Sequence, residues 1–326
     1  MEILTDIFSF FAKTAIMTIA LIVIVAAIAA IMGKSKNKLQ GKLVVKKIND
    51  TLQELQETLQ EELLSKKQWK QQRKQKKQQK EQQDEARKHL FVIHFNGDIR
   101  ASDVDELREV ITAILSVATE NDEVVVCLES AGGMVHAYGL AASQLQRIRK
   151  KNIPLTVIID KVAASGGYLM ACVATRIIAA PFAIIGSIGV IAQLPNFNRY
   201  LKKHNIDFEQ LSAGEYKRTL SIFGENTDKA REKMQQELEE IHEQFKTFIK
   251  EYRPLLDLNQ VATGEHWLAS QAKVMHLVDE LSTSDDYLTA ACNDANVYAL
   301  SIKQKKSLVD KLSHVVRACV QQLQQF

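Results

Sequence analysis

"LTVIIDKVAASGGYLMACVA", Leu155 to Ala174, joins a short β-branched run to a turn of small residues and then to a second apolar run. The first run reads as a buried strand. "SGGYLMACVA" reads as a helix with Ser165 at its start, where serine caps well. Strand, tight turn and helix form part of a β-α-β unit, and the pattern recurs on both sides. "LFVIHF" (90–95) predicts a strand and "DVDELREVITAILSVA" (103–118) a helix. "EVVVCLE" (123–129) predicts the next strand and "HAYGLAASQLQRIRK" (136–150) the next helix. The alternation predicts one α/β domain over residues 90–303 with a mainly parallel sheet. Within it, "DKAREKMQQELEEIHEQFKTFIKEY" (228–252) predicts a long helix and "NVYALSI" (296–302) the last strand. Residues 177–194 carry no charge but are broken by Pro181, Gly186 and Gly189. They suit buried strands better than a membrane span.

Sheets of this kind place their chemistry at the C-terminal ends of strands. Two small-residue turns fall there, "ESAGGM" (129–134) and "VAASGGY" (162–168). Neighbouring parallel strands would bring their glycine pairs together. Such a layout suits acyl transfer, with a serine oxygen exposed at a helix start and backbone N–H groups aimed at the oxyanion. Serine needs a base to take its proton. The turn is not the G-x-S-x-G elbow, because Ala163 stands where the first glycine belongs. His136 is the histidine nearest a glycine turn and is one candidate base. A lysine is the other, since serine–lysine pairs are a variant of the same logic. An ordinary lysine titrates near ~10.4, so a lysine base must be desolvated.

The chain has 326 residues and a net charge of +3. The uncharged run Thr14–Met32 matches the ~20 residues a helix needs to cross a bilayer. It predicts an uncleaved anchor within residues 1–33 rather than a signal peptide. Residues 34–89 read as a polar stalk or linker, with Ile48, Leu52, Leu55 and Leu59 at coiled-coil spacing and a Lys/Gln run over Lys66–Lys80. Trp69 stands alone in that run, which does not provide the aromatic interleaving of single-strand nucleic-acid binding. Residues 304–326 read as a C-terminal helical tail. Cys127, Cys172, Cys292 and Cys319 make no CxxC pair and no metal spacing, and read as packing residues.

Four blocks in order resemble the SppA (signal peptide peptidase A) family of serine peptidases: "DKVAASGGYLMACVA", "IIGSIGVIAQ", "LSAGEYKRTLSIF" and "GEHWLASQAKVMHLVDEL". A single catalytic unit behind one anchor is similar to the SohB-type branch of that family. The resemblance implies the crotonase-like fold shared with the Clp protease. It implies Ser165 as nucleophile, Lys217 as general base, Gly133 and Gly166 as oxyanion donors, and Ser187 as the group orienting the lysine amine. Ala131 departs from the proline that often precedes the first glycine pair in the family. The chemistry implied is peptide-bond hydrolysis through an acyl-enzyme, with no metal or organic cofactor. Membrane-associated peptides such as signal-peptide remnants are the implied substrates, and a homo-oligomer the implied assembly. A crotonase-type acyl-CoA enzyme and a non-catalytic membrane scaffold are the rival readings. Lys34, Lys36, Lys38, Lys42, Lys46 and Lys47 follow the apolar run, against Lys13 before it. The positive-inside rule therefore predicts an inner-membrane protein with a cytoplasmic catalytic domain. Family members commonly face the periplasm instead.

Overall fold

The computed structural model describes residues 13–14, 17–18, 41–65, 68–69 and 87–303. Nearly all of the expected anchor, most of the Lys/Gln run and the whole of the expected C-terminal tail lie outside the described residues. Among the described residues no helix is long and apolar enough to cross a membrane. The chain divides into two compact units, Val45–Ser301 and a second made of Met1–Val44 and Ile302–Phe326. Strand β1 (Lys42–Lys47) leads into helix α1 (Ile48–Leu63). The larger unit carries the fold.

Its frame alternates as the sequence predicts. Strand β2 (Lys88–Gly97) is followed by α2 (Val104–Leu115), β3 (Glu123–Ser130), α3 (Val135–Arg149) and β4 (Leu155–Ile159). Then come β5 (Val162–Ala164), α4 (Gly166–Ala171), β6 (Arg176–Ala179) and β7 (Ile184–Gly186). Helix α5 (Asn198–Lys203) precedes the long α6 (Asp228–Tyr252). The remainder is α7 (Leu258–Val261), β8 (His266–Leu268), α8 (Ala269–Val274), β9 (Glu280–Leu281), α9 (Ser284–Asp294) and β10 (Ala295–Lys303).

The main sheet runs β10-β2-β3-β4-β6-β9, each pair parallel. Its core is apolar on both faces. Val124, Val125, Val126, Leu155, Val157 and Ile177 are buried completely. Helix α2 buries Leu107, Val110, Ile111 and Ile114, the one-face spacing of an amphipathic helix. Each such side chain contributes about 1.5–3 kcal/mol relative to exposure. Helix α6 begins where Thr227 accepts the Ala230 N–H, a side-chain cap that α5 lacks.

A branch leaves this frame at the end of β3. Ser130 pairs with Ala163, so β5 runs parallel to β3, and β7 runs parallel to β5. Strand β8 closes the branch antiparallel to β7. Three-residue strands carry no readable period, and the sequence did not show that the sheet branches here. The expectation of buried strands over 177–194 holds for β6 and β7, whose residues are mostly buried, but fails beyond them. Val190–Leu194 lies outside any strand, and Ile191 is 79% exposed. Gly186 at φ +105 and Ser187 at φ 50 turn the chain away from the sheet at that point.

The first helix is anchored rather than free. Ile48 packs against the cluster of Leu90, Val92 and Val297. The Asn49 amide donates to the carbonyls of Cys292 and Ala295 and accepts the Val297 N–H. Leu55 and Leu59, which continue the seam, are exposed.

Candidate active site

Ser165 sits between β5 and α4, at φ 51 and ψ −120. That conformation is strained for a residue with a Cβ and persists only where the surroundings enforce it. Here they do. The Ser165 N–H donates to the Gly186 carbonyl at 2.8 Å, and its own carbonyl accepts the Leu169 N–H at 3.0 Å to start α4. Gly166 presses its backbone on the Tyr138 ring, where a Cβ would collide. The result is a sharp strand-to-helix elbow built without the G-x-S-x-G pattern.

The two glycine turns meet, as the parallel strands predict. Gly132 has φ +91, and a Cβ there would lie 2.8 Å from the Ala164 oxygen, the Gly166 nitrogen and the Ser165 Cβ. Only glycine satisfies both the backbone angle and the approach. The Gly132 N–H donates to Ser130 Oγ and is spent. Among the described residues no acceptor takes the N–H of Gly133. Gly166 opens α4, where the first N–H groups have no partner inside the helix.

Two cavities open on Ser165. One of ≈ 340 Å³ is mainly apolar and is lined by Gly139 and Ala142 of α3, Leu169 of α4, and Ile241, Phe245 and Phe248 of α6. The other, of ≈ 620 Å³, joins Ser165 to Gly133, Ser187, Ile191 and His242. Ser187 is held by its N–H, which donates to the Glu265 carbonyl at 2.6 Å. The Ile188 carbonyl accepts from the Gly264 N–H at 3.1 Å and lies 3.2 Å from His242 Nε2.

The structure thus brings together Ser165, Gly133, Gly166 and Ser187. It does not bring Lys217 to them. Lys217 is exposed, lies in the loop after Gly214, and lines neither cavity. His136 is also exposed and lines neither cavity, although it stands one turn from Gly133. His242 was missed, because nothing marks it among the polar residues of α6. Cys172 is fully buried, and burial pushes its thiol far up. The Cys127 thiol is pushed up to about 12, by burial first and by Asp160 and Asp285 second. Neither is a thiolate nucleophile at neutral pH.

The chain matches the model of peptidase family S49 over residues 147–298, and the model of the family's N-terminal region over residues 2–145. Two relatives bear the name "Probable protease SohB". The one from Haemophilus influenzae is 55% identical over 70% of this chain and 64% of its own length. The one from Buchnera aphidicola subsp. Acyrthosiphon pisum is 53% identical over 70% of this chain and 68% of its own. The chain therefore spans about two thirds of these relatives. Among solved structures, a ClpP1 mutant from Listeria monocytogenes is similar at a TM-score of 0.39 and 16% identity, covering 62% of this chain and 94% of that one. By the family models and these relatives, the chain belongs to peptidase family S49, among its SohB-type members.

Proposed function

We propose that this chain is a membrane-anchored serine endopeptidase that hydrolyses peptide bonds through Ser165, Lys217 and an acyl-enzyme. The observation that carries this reading is the strained elbow of Ser165, opening on an apolar cavity beside the turn that carries Gly133. Lys217 takes the Ser165 hydroxyl proton, and Oγ attacks the scissile carbonyl carbon. The oxyanion receives hydrogen bonds from the N–H groups of Gly133 and Gly166. The lysinium gives its proton to the leaving amine as the C–N bond breaks. Water then repeats the sequence on the ester and frees Ser165. The apolar lining around Leu169, Phe245 and Phe248 suits a peptide with an apolar side chain next to the scissile bond, as signal-peptide remnants have. The fold on this reading is the crotonase/Clp type.

Lys217 reaches the cleft in an assembly. It sits on an arm, residues 190–226, whose Ile191, Ile206, Phe208 and Leu211 are exposed. Apolar surface of that extent belongs against another polypeptide. A second copy of this chain is that partner, and docking of the arm carries Lys217 to Ser165. The lysine run after the apolar N-terminal segment supports a cytoplasmic catalytic domain on the inner membrane.

The test is complementation. Ser165→Ala and Lys217→Ala chains are each inactive on a signal-like peptide, and co-assembly of the two restores part of the activity. Inactive mixtures with an active parent would place both residues of each working site on one chain. An active Ser165→Ala chain would overturn the peptidase mechanism altogether, and turnover of CoA thioesters instead of peptides would favour an acyl-CoA enzyme. A phosphatase fused after Phe326 stays inactive if the domain is cytoplasmic.

A further inference from the structure

Beneath the oxyanion turn lies a pair of hydroxyls that the proposed mechanism does not use. Tyr138 is fully buried and Ser130 is 2% exposed. Their oxygens are 2.5 Å apart. The Tyr138 hydroxyl donates to the Asp98 carbonyl at 2.8 Å. A phenol has one proton, so the bond between the two side chains is donated by Ser130. Ser130 Oγ in turn accepts the Gly132 N–H at 3.0 Å. The Gly97 carbonyl, at 3.3 Å, is the weaker alternative for the Ser130 proton. The bonds therefore run one way, from Gly132 N–H to Ser130, to Tyr138, to the Asp98 carbonyl. Burial pushes the Tyr138 phenol up, which keeps it a donor at all physiological pH.

The chain ends beside the other fastening of the same turn. The Met134 N–H donates to the Ile99 carbonyl at 2.8 Å. Gly133 thus lies between two peptides held by consecutive residues of one segment, Asp98 through the hydroxyls and Ile99 directly. Among the described residues its own N–H has no acceptor. The Tyr138 ring also bears on Gly166, the other donor. We infer that Tyr138 and Ser130 are positioning residues of the oxyanion site, a clamp that holds the Gly133 and Gly166 N–H groups in register with each other. The inference rests on the peptidase reading of Ser165.

A preorganised donor counts because it costs no reorganisation when the charge forms. Loosening one differs from deleting it, so the effect is smaller than the ~10²–10³ lost with a whole oxyanion donor. Tyr138→Phe keeps the ring and its packing on Gly166 but removes the acceptor of the Ser130 proton. Ser130→Ala frees the Gly132 N–H directly.

The experiment uses the full chain with a peptide substrate and a peptide boronate, which forms a tetrahedral adduct on a serine oxygen. Tyr138→Phe is expected to lower kcat about tenfold with KM unchanged, because only the transition state feels the donors. Boronate affinity falls by the same factor, while peptide binding in the Ser165→Ala background is indifferent to the Tyr138→Phe change. Ser130→Ala falls further in kcat. The melting temperature of Tyr138→Phe stays near that of the parent. Parental kcat in Tyr138→Phe overturns the inference and leaves the peptidase reading intact, as does a fall in kcat without a matching fall in boronate affinity. A parent that neither hydrolyses peptides nor binds the boronate sinks the peptidase reading, and the inference with it.

Discussion

The elbow around Ser165 and the arm around Lys217 are built in opposite ways. At the elbow, Ser165, Gly166 and Gly132 are locked by backbone bonds and by close contact with Tyr138, all supplied by this chain. The arm folds mostly on itself. Asn196 donates to the carbonyls of Ser221 and Gly224, Asn198 to that of Phe223, and Phe208 meets Phe223 at a ring separation of 5.7 Å. Several of its other apolar side chains, Ile191 and Ile206 among them, face outward, with Leu211 97% exposed. One region satisfies itself and the other does not. On the proposed mechanism the nucleophile and its oxyanion donors are therefore ready in a single chain, and the base is what assembly supplies.

The strongest test of that contrast removes each half of the pair. Ser165→Ala and Lys217→Ala are each expected to cost ~10⁴-fold or more in kcat on a peptide substrate. Both should melt with the parent, since neither side chain is part of the core. Near-parental turnover of Lys217→Ala would break the comparison at its root.

A charge on the arm asks whether the exposed face is a contact. Leu211→Asp should shift the light-scattering mass toward the monomer and lower activity about tenfold or more by losing apolar burial at the contact. Serine labelling by a phosphonate should persist, because the elbow is intact. A fully assembled and active Leu211→Asp chain would mean that the arm's exposure has nothing to do with the base.

On the elbow side, the apolar cavity is open at Gly139, whose added Cβ meets nothing within 4 Å. Gly139→Leu should fill it. Cleavage next to large apolar side chains is expected to fall about tenfold while cleavage next to alanine is retained, as pocket volume discriminates by a few methylenes. Equal losses for both peptides would mean that the cavity does not hold the side chain beside the scissile bond.

The smallest effect concerns the frame behind the elbow. Arg253, at the end of α6, makes two bonds to Asp279, and Asp279 also accepts the Ile177 N–H from β6. Burial pushes the Asp279 carboxyl up, but these bonds outweigh it and hold it below the ordinary carboxylate value. A lowered carboxylate stabilises the fold in full above its unfolded value near ~3.9 and loses that contribution as pH falls through the folded one. Arg253→Met should cost on the order of 1.5–3 kcal/mol at neutral pH, the range for bonds to charged groups. The gap from the parent should shrink below about pH 4. Thermal melts across that range check the sign, and a gap that widens in acid would refute it.

Much of the frame was legible. The helix over 228–252 appears with the boundaries its pattern predicts, because a capping threonine and a helical apolar spacing are local facts. The strands around Val92, Val125 and Val157 announce themselves by short β-branched runs. Ser165 was legible as a turn residue at a helix start. The residues that make it a site were less so. Ser130, Tyr138 and His242 are ordinary residues in sequence, and no spacing rule marks them.

What the sequence determined by itself was the order and kind of elements and the place of the small-residue turns. Periodicity, caps and glycine are properties of neighbouring residues, so a single chain displays them. The tertiary structure alone decided which turns meet and which groups remain apart. The parallel register sets Ser130 beside Gly97 on one side and Ala163 on the other, and from that the clamp, the branch of β5, β7 and β8, and the elbow follow. The same geometry leaves Lys217 exposed and outside both cavities that open on Ser165. Register and strand branching join residues far apart in the chain, through contacts whose energy no local pattern encodes.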